Sequence, residues 1–148
     1  MTDQNELYAE LKPDIQTIAS TLFDFSQQCI RDRGDFLPHG AVLKADNTIE
    51  LVGATSGNEI ANAPEILPLL HGGLRGLAKE KVLTAIGVAE SVTITIPGQA
   101  PTKAIKVLFE HRRGLTIALY MPYEKKFLRG HLFGSMFSTP ANPEVNAW

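Results

Sequence analysis

The stretch from Ala104 to Tyr123 constrains the fold more than any other part of this chain. Residues 104–111 and 115–123 are apolar-rich runs, and Arg112-Arg113-Gly114 between them includes a glycine that can take positive φ. Ile105, Val107 and Phe109 fall on one face, while Lys106, Leu108 and Glu110 fall on the other. That alternation predicts a β-hairpin and so commits the chain to an antiparallel sheet. Upstream, residues 82–96 read as a third strand in their second half, where Val88, Glu90, Val92, Ile94 and Ile96 alternate with Ala89, Ser91, Thr93 and Thr95 and the β-branched content supports it; the first half could instead extend the second helix. An earlier hairpin is predicted from residues 36–44 and 48–54, turning at Ala45-Asp46-Asn47. Pro38 cannot donate to a ladder, so the start of that strand lies at an edge or before the paired region.

Two helices complete the pattern. Leu7, Leu11, Ile15, Ile18, Leu22, Phe25 and Cys29 recur every three or four residues, one stripe of a helix. Pro13 divides it into a short leading turn and a main helix, and Gly34 ends it. A second helix starts near Pro64 or Pro68, with Ile66, Leu70, Leu74 and Leu77 on its stripe. Gly72, Gly73 and Gly76 within it suggest close backbone packing against a sheet or a partner.

Composition narrows the class. The chain has 148 residues, 44 % hydrophobic and 20 % charged, which fits one folded domain and excludes a disordered chain. No apolar run approaches the roughly 20 residues of a membrane span. The polar, acidic start at residues 1–6 does not resemble a secretory signal. A lone cysteine, Cys29, fits a reducing cytoplasm. The expectation is a cytoplasmic α+β domain over residues 1–123, with a partly packed, irregular C-terminal tail over 124–148. In the tail, Phe127, Leu132, Phe133, Phe137 and Trp148 stand among glycines and prolines.

The net charge of −2 speaks against bulk attraction to duplex DNA. Residues 103–148 nevertheless carry seven basic and three acidic side chains. With Tyr120, Tyr123, Phe127, Phe133 and Phe137 accompanying Lys125, Lys126, Arg129 and His131, that third could bind an anion or a single strand, or form a solvated rim. Motifs for chemistry are sparse. No histidine pair or cysteine pair has zinc-ligand spacing, and no serine sits in a Gly-x-Ser-x-Gly elbow. Gly72-Gly73-Leu74-Arg75-Gly76 lacks the Lys-Ser/Thr ending of a phosphate loop. No catalytic residue, metal or cofactor is assigned. His39, Glu110, His111 and Arg112 are the candidate ligand-binding residues, since two predicted strands could bring the histidines together. Gly72, Gly73, Gly76, Phe127, Phe133 and Phe137 are the candidate interface residues.

The element order α-β-β-α-β-β-β, over about residues 13–123, resembles that of roadblock/LC7 domains and, more loosely, of profilin-like folds. The resemblance implies an antiparallel sheet with helices on its faces, and roadblock members pair into dimers. No roadblock residue motif is matched, so no functional residue is carried over. Separately, Gly34-Asp35-Phe36-Leu37-Pro38-His39-Gly40-Ala41-Val42-Leu43 and Leu108-Phe109-Glu110-His111-Arg112-Arg113-Gly114 resemble segments of small bacterial proteins, which brings no activity. The expected fold is a five-stranded antiparallel sheet with two main helices. The expected function is a non-enzymatic interaction module that self-associates as a homodimer or takes a protein partner. Its rivals are a small-molecule- or metal-binding protein or enzyme with a pocket between sheet and helices, and an anion or single-strand binder.

Overall fold

Pro13 and Gly34 set the bounds of the longest helix. The structure, a computed structural model, describes residues 4–54, 62–126, 128 and 130–148. A short helix, α1 (Gln4–Glu10), leads into α2 (Lys12–Arg33). Pro13 occupies the first turn of α2, where a missing N–H costs nothing, and Asp14 follows near the positive helix end. Gly34 stops the helix at φ 84°, its N–H bonded to the Ile30 carbonyl at 2.8 Å. Leu7, Leu11, Ile15, Ile18 and Leu22 are buried as expected, but Phe25 is 43 % exposed and Cys29 only partly buried.

The first hairpin joins β1 (His39–Lys44) to β2 (Ile49–Val52). Asn47 takes φ 68°, and Asp46 Oδ1 accepts from the N–H and hydroxyl of Thr48 at 3.0 and 2.6 Å. Pro38 stands before the paired region. Helix α3 (Ala63–Glu80) starts at Asn62, whose side chain accepts the Glu65 N–H, with Pro64 in its first turn. It runs through Pro68 and all three glycines unbroken.

Strands β3 (Leu83–Ile94), β4 (Thr102–His111) and β5 (Thr116–Lys126) form an antiparallel meander, with Gly114 at φ 94° in the second turn. The expectation of five strands and an irregular tail is corrected here. Two more short strands, β6 (Gly130–Phe133) and β7 (Phe137–Pro140), pair with the outer edge of β5 and make the sheet seven-stranded. Pro122 separates them. It has no N–H to offer at that edge, and the register slips by one residue between Tyr123↔Phe133 and Tyr120↔Phe137. The Gly134 N–H still reaches the Pro122 carbonyl at 2.7 Å.

The sheet order is β2-β1-β3-β4-β5, with β6 and β7 beyond β5. Helix α2 crosses β1, β3 and β4 on one face, and α3 covers β1 and β3 on the other. The sheet therefore divides two cores. Ala41, Leu43, Ile105, Val107 and Phe109 face α2, while Val42, Ile86 and Val88 pack with Leu70 and Leu74 of α3. Glycines in the strands allow these close approaches. A Cβ on Gly87 would strike Ile18 and Leu22 of α2, and one on Gly40 would stand 2.9 Å from the Gly87 carbonyl oxygen. The α3 glycines do no such work against the sheet. A Cβ on Gly73 or Gly76 meets open space, and one on Gly72 meets only the Arg75 guanidinium at 3.9 Å. No described helix is long and apolar enough to cross a membrane.

Candidate interaction surface

Ser26, His39, Glu110 and His111 are the buried polar side chains among the described residues. The four candidate ligand residues, His39, Glu110, His111 and Arg112, are not brought together. His39 pairs with Ala89 and His111 with Ala85, four residues or about 13 Å apart along β3. Glu110 precedes His111 on the strand and so projects from the opposite face. Arg112 lies exposed in the turn, its backbone N–H bonded to the Thr84 carbonyl at 3.0 Å.

Both histidines have their hydrogen bonds met locally. His111 Nδ1 accepts the Arg113 N–H at 3.1 Å, so Nε2 carries the proton and donates to Asp14 Oδ2 at 3.0 Å. Burial holds this imidazole below its ordinary value of 6.5, against the upward pull of Asp14. His39 Nδ1 donates to the Leu37 carbonyl at 3.0 Å, leaving Nε2 to accept the Ser26 hydroxyl at 3.2 Å. Burial lowers this group as well, although the Leu37 and Leu22 carbonyls oppose the shift. A serine beside a neutral, oriented histidine has the form of a nucleophile and its base. Here Ser26 is wholly buried, and Phe25 and Phe36 rings meet the His39 ring edge-on at 4.7 and 5.5 Å. The pair is a buried polar joint between α2 and β1.

Glu110 holds the C-terminal segment. Its carboxylate accepts three successive backbone N–H groups, from Glu144 and Val145 at 3.1 and 2.8 Å and from Asn146 at 3.0 Å. Three amides converging on one anion form a charge-assisted nest. Val145 is fully buried against α3, and Arg75 Nη1 donates to its carbonyl at 3.0 Å. Glu144 Oε2 meets Lys106 Nζ at 3.0 Å. Around this contact His71 and Glu90 line a seam too tight to admit water. Burial lowers His71 and raises Glu90. Lys106 is pulled down by burial but held above its ordinary value by its hydrogen bond to Glu144. The charges here are matched internally, and no group of three metal-ligating side chains converges among the described residues.

Beyond α3 and the tail, the sheet margin around Tyr120 and Phe137 is partly exposed among the described residues. Tyr120 and Phe137 are cross-strand partners, stacked at 5.3 Å between ring centroids and 21° between planes. With Ile94, Thr95, Ile96 and Pro97 they line a concavity of about 310 Å³. A wider groove of about 780 Å³ adjoins it, sharing Ile96 and Phe137 and reaching Pro101, Pro122, Leu132 and Phe133. Phe137 is 39 %, Leu132 45 % and Met136 50 % exposed. Of the candidate interface residues, Phe137 belongs to this margin. Phe133 packs toward Tyr123 and under the Arg31 guanidinium, at 6.3 and 5.2 Å. Gly72, Gly73 and Gly76 lie on α3, a different surface, and Phe127 is outside the described residues. Sequence reasoning missed Ile94 as a surface group, named Tyr120 only among the aromatics of the basic third, and missed Glu144 and Val145 entirely. Tyr120 left one available signal, since it alternates with the buried Ile117 and Leu119 in β5.

The basic C-terminal third is largely paired. Lys103, Lys106, Arg113 and Lys126 face Asp35, Glu144, Glu10 and Glu124 within 4.0 Å. A scan of protein-family models found no match to the chain, and neither curated proteins nor solved structures gave one.

Proposed function

We propose that this chain is a non-enzymatic interaction module that self-associates as a dimer through the apolar margin around Tyr120 and Phe137. The carrying observation is the stacked, solvent-facing pair beside the concavity at Ile94 and Ile96. Exposed apolar ground of this kind, rimmed by polar strand residues, is characteristic of interaction sites. The internally satisfied histidines and carboxylates leave this margin as the better-supported place for recognition. Sedimentation velocity of the wild-type chain and a Phe137→Asp variant tests the reading. A wild-type dimer at tens of micromolar is expected, with the variant monomeric and unchanged in circular dichroism. A variant that still dimerises, or a wild type that stays monomeric throughout, contradicts it.

The groove of about 780 Å³ supports a second reading, a small-molecule site at the sheet margin. Native mass spectrometry of untagged protein separates the two: a monomer carrying excess mass supports a ligand, and a dimer at the polypeptide mass supports the module.

A further inference from the structure

Where α3 runs into β3, three positive side chains gather beside a tryptophan. A concavity of about 270 Å³ opens there, lined by Lys79, Glu80, Lys81, Val82, Arg112 and Trp148. Lys79 stands in the last turn of α3, where a cation offsets the negative helix end. That accounts for one charge. Lys81 follows the helix in extended backbone, and Arg112 comes from the turn between β4 and β5. Its N–H on the Thr84 carbonyl, at 3.0 Å, holds that turn against β3. Among the described residues, none of the three cations lies within 4.0 Å of an acid. Glu80 is the one side-chain carboxylate of the lining, so the concavity is net positive. Trp148 is brought there by the C-terminal segment. Glu110 fixes the amides of Glu144, Val145 and Asn146, and Ala147 packs on the same core as Val145. The indole is nevertheless 48 % exposed. A ring tethered through its backbone and open to solvent is ground on which a second flat ring stacks.

We propose that this concavity binds a nucleoside monophosphate, with the phosphate among Lys79, Lys81 and Arg112 and the base on Trp148. A guanidinium presents paired N–H groups in the plane that two phosphate oxygens match, and the lysines add point charges. The volume falls below the roughly 300–1,000 Å³ of pockets that engulf a whole ligand. The floor therefore takes the anion, and the base rests at the open rim. Neither half suffices alone. Exposed cations hold a bare anion weakly because salt screens them, and one stacked base adds only about 1–3 kcal/mol in nucleic-acid complexes. The site shares no residue with the concavity at Tyr120 and Phe137, so it stands apart from the dimer proposed above.

Trp148 is the sole tryptophan, so its fluorescence reports on this site alone. Adenosine monophosphate is titrated into the full-length chain, with excitation at the red edge where adenine does not absorb. Quenching should reach half-saturation at or below about 1 mM. Adenosine, which lacks the anion, should need about tenfold more, and inorganic phosphate, which lacks the ring, should displace the nucleotide only at about tenfold excess. A Lys81→Gln, Arg112→Gln double variant changes exposed side chains only. It should keep the wild-type circular dichroism and bind the nucleotide about tenfold more weakly, and added salt should bring the wild type toward it. Trp148→Leu, followed by calorimetry, should bind the nucleotide no better than inorganic phosphate. Equal responses to adenosine monophosphate and adenosine overturn the proposal, as does a double variant that binds like the wild type, or a wild type with neither quenching nor heat. Tighter binding of an oligodeoxythymidine without terminal phosphate than of the mononucleotide also overturns it, because the ligand is then a nucleic-acid strand.

Discussion

His39, His71 and His111 all sit below their ordinary value of 6.5 in the folded chain, each chiefly through burial. Unfolding returns them to water and to that value. Below about pH 6.5 the unfolded chain therefore takes up more protons than the folded one. Their contribution to stability is complete above this range and is lost as pH falls toward the depressed folded values. The expected result is a melting temperature that drops by several degrees between about pH 7.5 and pH 5.5. A His39→Gln, His111→Gln double variant should be less stable at the upper pH and show a flatter profile. A wild-type profile that is level, or that rises on acidification, is incompatible with neutral buried imidazoles. Glu90, raised by burial, titrates in the opposite sense and works against the loss.

Helices and strands meet here through glycines whose sequence settings look alike and whose surroundings do not. Gly87 lies beneath Ile18 and Leu22, so Gly87→Ala overpacks the α2–β3 contact and should cost about 1–3 kcal/mol in urea unfolding. Gly73 is on the open side of α3, so Gly73→Ala should stabilise by about 0.5–1 kcal/mol. Equal effects of the two would refute the packing described. The contrast also shows what single-chain patterns carry. The β4–β5 hairpin and the second half of β3 were legible from β-branched and apolar runs flanking turn residues, whereas the first half of β3, buried on both faces, shows no period of two; α2 was legible because Pro13 and Gly34 punctuate it. Strands β6 and β7 were not legible: every residue of β7 is exposed, so nothing imposes a period of two. The α3 glycines invited a reading of packing against a sheet or a partner; their outward direction removes the sheet, because spacing does not say which neighbour arrives from elsewhere in the chain.

At the scale of the whole molecule, coverage of the sheet is uneven. Near β1 and β3 it lies between two helices; at β4 the tail takes the place of α3; at Tyr120 and Phe137 nothing described covers it. The candidate site was half legible for the same reason. Glu110 and His111 were singled out together as neighbours at a hairpin tip, yet alternation sends one to the tail and the other to Asp14. What Glu110 does depends on residues about 35 positions away, which no local pattern relates to it. Hydrogen exchange reads the consequence directly. The amides of Glu144, Val145 and Asn146 belong to no helix or strand but end on a buried carboxylate, so they should exchange more slowly than that of exposed Asn142. Glu110→Gln leaves the shape intact and removes the charge, costing about 2 kcal/mol at the nest. That is roughly a thirtyfold acceleration at those three amides if they open locally. The β3 and β4 amides, whose exchange requires wider unfolding, should respond less. Uniform acceleration across the sheet would instead make the tail part of the global folding unit, and unaltered rates at the three amides would remove Glu110 as its anchor.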